Sequence, residues 1–523
     1  MKYNNNRNVF TLKCMLHDVL VHLYTLRNEF NINMQEFERN GREFVEQIIG
    51  FKVSYIFHVK DQFHGRKSRI NNSPIQEQIL KIRRCNGEYE VTDRYHQVTP
   101  LEKNNTNQVN KHQNCNDIFL DLKYAIGWNL FNLNLVGIWP EPTKSNNCAA
   151  NFRAIVSVSC LFFFIVIWQS INLFLLGGDF EQITQTLTMA NIPTFNAAIK
   201  LLVLLYCRKD LQPLVKSFYD DWYTLKTKED RTTMLNSANL SRFLSIWCSV
   251  LTAIMVSSYI FLRSFLICRY NITAEPQYRL SIYPAYYPFD MRPTLVRVIV
   301  NVAQVFGAYC GAVPYTGVDN FIAMLVLHIC GQFQNLKRKL TRLMDGQRKP
   351  KEIQVELAWI VQRHEHLNWA ASRIEDCFNQ LLLWQLLLCT IEICFQGFSI
   401  LIAYIDSRLQ VLFVSETGIS AFQTIFFTLF ILFVIVHVYL YCYVGELLRV
   451  HSSSMAIAAY ESNWYNVAPS EAKCLLFIML RSTRPLRLTA GKFSTFSMEM
   501  FNTILRTAMG YLSVLLTVSS NLD

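Results

Sequence analysis

Charge is scarce in this chain. Only 17% of its 523 residues are Asp, Glu, Lys or Arg, against roughly 25% in soluble domains. A deficit of that size argues against a water-soluble globular protein and for one that crosses a membrane several times. The fifteen cysteines include no Cys-x-x-Cys pair and no His at metal-ligand spacing, which argues against both a zinc site and a disulfide framework. Cys160, Cys248, Cys389 and Cys442 lie inside apolar runs, where a thiol behaves as a small hydrophobe. Also missing are a Gly-x-Ser-x-Gly elbow, a His-Glu-x-x-His pair and a phosphate-binding glycine loop, so nothing supports catalysis. The reading is non-enzymatic, with no catalytic residue, metal or cofactor. His364 and His366 read as solvated residues on a polar helix. The first thirty residues have no sustained apolar core, and so no secretory signal.

What is abundant is apolar. Hydrophobic residues make up 51% of the chain and aromatics 13%, and the mean hydropathy is +0.16. The net charge of +11 could suggest nucleic acid. Its basic residues, however, cluster in short segments beside apolar runs, which is the membrane-flank pattern and excludes a nucleic-acid partner. Residues 1–115 differ in kind. They are rich in Asn, Gln, Lys, Arg and Glu, and no stretch is apolar for the ~20 residues that a span needs. Short helices are expected at Val9–Leu26 and Met34–Ile49, with loop or disorder elsewhere. This polar extension, partly disordered, is either a lineage-specific tail or an artefact of the gene model, and carries no assigned function. The second domain, 116–523, opens with an amphipathic stretch, Asp121–Leu135, and an interfacial Gly137-Ile138-Trp139-Pro140 turn.

Hydropathy then gives an all-α polytopic membrane protein with seven transmembrane helices, at about 153–176, 184–206, 244–267, 295–318, 381–405, 421–445 and 498–519. The segments after the second, fourth and sixth spans (207–243, 331–380, 447–497) hold seven, nine and six Lys and Arg. Those after the first, third and fifth hold none, three and one. Positive residues stay inside, so the N-terminus is expected inside and the C-terminus outside. Asn271-Ile272-Thr273 then becomes an external glycosylation sequon at Asn271, although Asn239-Leu240-Ser241 falls inside. Only four residues follow the last span, and no cytoplasmic tail is expected. This orientation is the inverse of a G-protein-coupled receptor, and neither an Asp-Arg-Tyr nor an Asn-Pro-x-x-Tyr motif stands where that class has it. No internal repeat or pair of broken helices suggests a transporter.

The C-terminal seventy residues carry a resemblance. Trp464-Tyr465-Asn466, Leu475–Arg481, Pro485-Leu486, Thr489-Ala490-Gly491-Lys492-Phe493 and Ile504–Leu515 resemble the C-terminus of insect odorant receptors. They are most similar to the ligand-tuned receptors of ants, bees and wasps. Tyr287-Pro288-Phe289-Asp290-Met291-Arg292-Pro293, Asp319 and His328–Phe333 look like the loop before that family's fourth span and the exit from it. Residues 1–115 have no counterpart there. The resemblance implies an odorant-binding subunit of a ligand-gated, non-selective cation channel. Such a subunit forms a heteromer, a tetramer, with a shared co-receptor in the plasma membrane of olfactory sensory neurons, and acts in olfactory detection of small volatile hydrophobic odorants. A G-protein-coupled or gustatory-type chemoreceptor is the alternative. Against the gustatory relatives, Tyr511 follows Gly510 rather than Thr, and no Gln-Phe comes after it.

Candidate residues follow from the expected topology. An odorant site is a mostly apolar cavity in the outward halves of the spans, drawing on Met189, Ile192, Phe195, Val256, Tyr259, Phe306, Tyr309, Phe395 and Phe398. Each would serve equally as ordinary helix packing. In the last span Val514 and Val518, at i and i+4, stack on one face. Four subunits would make them apolar rings that close a pore by dewetting, with Ser513 and Thr517 as wet rungs beside them. Packing within the membrane is the other reading. Trp464 and Tyr465, with Leu475–Leu480, form an apolar group in a basic loop and are candidates for the subunit anchor. Arg506 either snorkels or lines an inner vestibule. Glu392, in mid-span, has to face a partner or a cavity.

Overall fold

The computed structural model describes residues 82–85, 88–91, 107–142, 148–175, 183, 186–187, 191–224, 227–269, 277–344, 350–410, 417–466 and 468–520. Contacts divide the chain into a unit of Asn28–Asp117 and a unit of Ile118–Asp523 with Met1–Arg27. In the first, β1 (Ile82–Cys85) and β2 (Glu88–Val91) pair antiparallel, Ile82 with Val91 and Arg83 with Glu90. This corrects the expectation of loop throughout that stretch. The strands flank Asn86-Gly87, a strong two-residue hairpin signal. The helices expected at Val9–Leu26 and Met34–Ile49 lie outside the described residues.

The second unit is helical. After α1 (Asn107–Leu135) come α2 (Cys148–Leu175), α3 (Ile192–Tyr223), α4 (Lys228–Arg269), α5 (Thr294–Thr341), α6 (Pro350–Gln410), α7 (Thr417–Glu461), α8 (Pro469–Ser482) and α9 (Met498–Ser520). A two-residue pairing of β3 (Thr489–Ala490) with β4 (Ser494–Thr495) precedes α9. Each of the seven apolar segments read from hydropathy falls on a different long helix. Five of these, α2, α4, α5, α6 and α7, are long and apolar enough to cross a membrane, and the chain is a multi-pass membrane protein. The described part of α3 carries Asn196 and Lys200, and α9 carries Glu499, Thr503 and Arg506; these polar groups lower their mean hydropathy.

The axis of the unit is α5. Every residue from Pro314 to Phe333 is buried, as expected of a helix enclosed by others on all sides, and its polar members, Asp319 and His328 among them, are paired across the helix contacts. Helices α3, α4, α6 and α7 pack on it. On α2 and α4 the outward faces carry Phe152, Ile155, Phe163, Trp247, Ile254 and Phe261, a composition suited to lipid. At 61 residues, α6 is about 90 Å long at 1.5 Å per residue, three times the ~30 Å hydrocarbon layer. Its first half therefore runs beyond the layer, alongside the ends of α3 and α5.

Those extensions are tied by charge. The Asp221 carboxylate on α3 accepts from His328 Nε2 on α5 at 2.9 Å and meets Arg363 on α6 at 2.6 Å. The imidazole of His328 stacks on Phe218 at 3.9 Å. Burial alone would raise the pKa of Asp221, but the His328 and Arg363 contacts outweigh it and hold the carboxyl below the usual range. His364 is not solvated as expected. It is 5% exposed against the edge of Phe333, because α6 buries that face on α5. Burial, with the nearby charge of Arg481, lowers its pKa to about 4. His366 is half-buried beside Ser217 and Trp369.

Entry to α9 is fixed by a clip on α6. Glu375 accepts the Thr489 N–H at 2.9 Å and also the Thr489 hydroxyl, while Gly491 N–H donates to the Asn379 carbonyl at 2.8 Å. Gly491 has φ +61°, and a Cβ there would lie 2.7 Å from Leu383. The left-handed backbone therefore favours glycine, and any other residue would also displace the end of the Leu383 side chain.

Candidate ligand-binding cavity

A cavity of about 80 Å³ lies between α3, α4, α5 and α7, walled by Pro193, Thr194, Ala197, Thr252, Met255, Val256, Tyr259, Tyr283, Ala308, Gly311, Ala312, Tyr315, Phe426, Phe430 and Phe433. The spacing of these residues explains it. Thr252, Met255, Val256 and Tyr259 share one face of α4, and Ala308, Gly311, Ala312 and Tyr315 share one face of α5. Small residues on α5 leave room that larger ones would fill. At Gly311 a Cβ would approach Leu161 on α2 to 2.9 Å, so α5 seats closely on α2 while its other face stays open.

One end of the cavity is closed by the segment after α4. Tyr259 packs on Tyr283 at 5.0 Å and on Phe426 at 5.9 Å. Tyr283 N–H donates to Gln304 Oε1 at 3.0 Å, and Gln304 Nε2 donates back to the Tyr283 carbonyl at 2.9 Å. Asn301 Oδ1 accepts the Ile282 N–H at 2.9 Å, and Arg263 Nε donates to the Ile282 carbonyl at 3.0 Å.

The other end rests on a polar floor. Beneath Tyr315, Lys200 Nζ lies 2.7 Å from the Asp319 carboxylate, donates to the Tyr315 carbonyl at 2.9 Å and sits 4.3 Å from the centre of its ring. Lys200 is 0% exposed and Asp319 1%. His437 comes within 3.8 Å of Asp319 and packs on Phe433 at 4.5 Å. Nearby on α6, Gln385 accepts from Asn196 Nδ2 at 2.8 Å, and the carboxylate of Glu392 is fully buried with neither oxygen hydrogen-bonded. Glu392 does turn inward toward a charge, that of Lys200. Such a cluster, deep among apolar helices, fixes register at a desolvation cost.

Of the nine residues expected at a ligand site, Val256 and Tyr259 line the cavity. Phe306 and Tyr309 line a separate groove on the opposite face of α5, and Tyr309 shares a 2.8 Å hydrogen bond with Ser257. Phe195 is 47% exposed and Ile192 is buried, both outside the lining. Phe398 is buried and Phe395 half-buried on α6, which contributes nothing to these walls. Met189 lies outside the described residues, as does Asn271. The aromatic wall of α7 (Phe426, Phe430, Phe433) and the floor residue Tyr315 were not anticipated. The signal was present in their i, i+4, i+7 spacing.

On α9, Phe501, Ile504, Leu505 and Ala508 are buried against the bundle. Glu499, Thr503, Arg506, Val514 and Thr517 are exposed and share the opposite face by helical period. Ser513 and Thr517 hydroxyls donate to carbonyls one turn back, at 3.0 Å each. The side chain of Val518 lies outside the described residues. Trp464 and Tyr465 are 41% and 69% exposed. On α8, Leu475 and Ile478 face inward while Leu476, Phe477 and Leu480 face out. These five exposed side chains, with Tyr460, form an apolar patch.

Long apolar helices packed round a central one, with an apolar cavity between four of them, define a multi-pass helical membrane protein as a class. The family model for the 7tm odorant receptor matches residues 179–509, and the chain belongs to that family. Odorant receptor 13a of Drosophila melanogaster is 28% identical over 255 residues, covering 45% of this chain and 57% of that one. Odorant receptor 47a of the same species is 23% identical over 423 residues, 77% of this chain and 100% of that one. Among solved structures, the olfactory receptor OR5 of Machilis hrabei in complex with eugenol superimposes with a TM-score of 0.62 at 14% identity, covering 77% of this chain and 100% of that one. A second structure of the same receptor gives 0.59 at 12% identity, covering 78% of this chain and 99% of that one. The fold is thus the insect olfactory receptor fold.

Proposed function

We propose that this chain is the odorant-binding subunit of a ligand-gated, non-selective cation channel, assembled with a shared co-receptor subunit in the plasma membrane of olfactory sensory neurons. The observation that carries this reading is the apolar, aromatic-lined cavity between α3, α4, α5 and α7 in a member of the odorant receptor family. Its lining offers few polar groups, the hydroxyls of Thr194, Thr252, Tyr259, Tyr283 and Tyr315, which suits a small volatile hydrophobic odorant with one weak hydrogen-bonding group. The Machilis receptor's complex with eugenol, an aromatic molecule, agrees with that chemistry.

The channel half of the reading is supported by α9. Hydrocarbon accepts charged side chains poorly, yet the face turned from its own bundle carries Glu499, Thr503, Arg506 and Thr517. Facing a water-filled axis in an oligomer resolves this. Seven spans with the N-terminus inside follow from the charge asymmetry, and the exposed patch of Trp464, Tyr465, Leu476, Phe477 and Leu480 is the natural subunit anchor. The test of the ligand site is Val256→Trp and Tyr259→Ala, with odorant-evoked currents measured against concentration. Losing one aromatic wall removes about 0.5–1.5 kcal/mol beyond its buried area, so half-maximal concentrations should rise about tenfold or more and odorant ranking should change. Unchanged concentrations and ranking in both variants would refute the assignment.

A further inference from the structure

On the outer side of the α4–α5 pair lies a second space, a groove of about 510 Å³ walled by α1, α2, α4 and α5. Its mouth is apolar and exposed, with Leu135, Phe152 and Phe306 at 56%, 67% and 55%. Two residues, Thr252 and Ala312, line both this groove and the ligand cavity. The partition between the two spaces is therefore a threonine and an alanine. Thr252 turns its hydroxyl back to the Cys248 carbonyl at 2.9 Å, which leaves its methyl in the partition. To one side of it Ser257 Oγ and Tyr309 OH share a hydrogen bond across the seam at 2.8 Å, and to the other Asn320 Nδ2 donates to the Ser245 carbonyl at 3.1 Å and to Ser249 Oγ at 3.4 Å.

Resting on the ligand-site reading above, we propose that this seam is a lateral portal, through which a neutral hydrophobic ligand dissolved in the bilayer enters and leaves the cavity. Three observations combine. The groove has the volume of a small-molecule site and opens on the apolar surface of α2 and α4, where apolar molecules concentrate from water. The partition is made of two small side chains, whereas aromatic rings of α7 and the Lys200–Asp319 floor stand on other sides. The remaining end is sealed by four hydrogen bonds, two between Gln304 and Tyr283 and two holding Ile282. Parting the seam between Thr252 and Tyr309 breaks the Ser257–Tyr309 bond and leaves the Asn320 bonds to Ser245 and Ser249 in place. Ligand therefore crosses between α4 and α5, and Tyr309, which does not touch the cavity, acts on its rate of passage rather than its affinity.

The experiment uses the full chain co-expressed with a co-receptor, under rapid application and washout of a subsaturating odorant. Loss of the cross-seam hydrogen bond in Tyr309→Phe and Ser257→Ala should speed onset and washout alike, about threefold, as expected of one interhelical hydrogen bond in a membrane protein. The half-maximal concentration should not move, because entry and exit share one barrier. Ala253→Phe fills the groove from α4, and Val156→Phe fills it from the α2 wall in case the first variant fails to reach the surface. Either should slow both onset and washout tenfold or more at an unchanged half-maximal concentration. Unaltered rates in the groove-filling and hydrogen-bond variants, or a shifted half-maximal concentration with unaltered rates, would overturn the portal. Failure of the ligand-site reading looks different: the Val256 and Tyr259 substitutions would then leave odorant responses untouched.

Discussion

Lys200 and Asp319 are both fully enclosed and 2.7 Å apart beneath the cavity, and the consequence of separating them follows from electrostatics. Lys200→Met leaves the Asp319 carboxylate without the ammonium and with the His437 imidazole at 3.8 Å. Asp319→Leu leaves the ammonium with the Tyr315 carbonyl and ring. Removing one member of a buried pair costs about 3–5 kcal/mol, whereas replacing both with apolar groups of similar volume is close to neutral. Stability of natural folds is about 5–15 kcal/mol, so either single change should remove a large part of it. The double variant Lys200→Met/Asp319→Leu should recover most of the loss, a coupling of at least about 2 kcal/mol in a double-mutant cycle. The assay is the fraction of detergent-solubilised protein that stays monodisperse on gel filtration after heating, read beside surface density in intact cells. A double variant as unstable as the two single losses added together would show that the pair is not coupled and would refute the enclosed floor. Surface expression restored with odorant ranking altered would further place Tyr315, which the pair holds, in the cavity's recognition of ligand.

Val514→Thr on the exposed face of α9 should lower the barrier to wetting of an apolar constriction, and so raise basal current or change relative ion permeability while odorant ranking stays fixed. Altered ranking with unchanged basal current would remove α9 from the pore. Trp464→Ala and Phe477→Asp should reduce co-purification with the co-receptor at least several-fold, and undiminished recovery would assign these side chains to packing within one chain. His364, held neutral with a pKa of about 4 against an ordinary 6.5, makes the fold weaker as pH drops below 6.5, because the unfolded chain then binds a proton that the folded one refuses. The loss is about 2 kcal/mol at pH 5 and nil above pH 7. His364→Gln should flatten the fall in thermal midpoint between pH 7.5 and 5, and an equal fall in both proteins would contradict the burial.

The helices were legible because hydropathy is a one-dimensional signal, and each apolar run landed on its own helix. Their lengths were less so. Nothing in the span 381–405 announces that α6 begins at Pro350, since its first half is stabilised by packing on α5 rather than by apolar content. The same packing buries His364, whose sequence neighbours Arg363 and Glu365 made it look solvated. Val256 and Tyr259 both line the cavity because α4 places them on one face. Phe306 and Tyr309 sit on a helix with two apolar faces, and sequence alone did not say which one meets the cavity. Tyr315 was passed over because the cavity reaches deeper along α5 than the outward half assumed. The Lys200–Asp319 pair joins residues 119 apart, a partnership that only the fold reveals. The hairpin at 82–91 was readable from Asn86-Gly87 and was overlooked within a polar background.

The central claim is that odorant binding opens a cation-conducting assembly. The direct measurement is membrane current from cells expressing this chain with and without a co-receptor subunit, during an odorant panel and under G-protein blockade. Odorant-evoked cation current that needs both subunits and persists under blockade is the predicted result. Current abolished by G-protein blockade would contradict the account, as would the absence of odorant-evoked current when both subunits are at the surface.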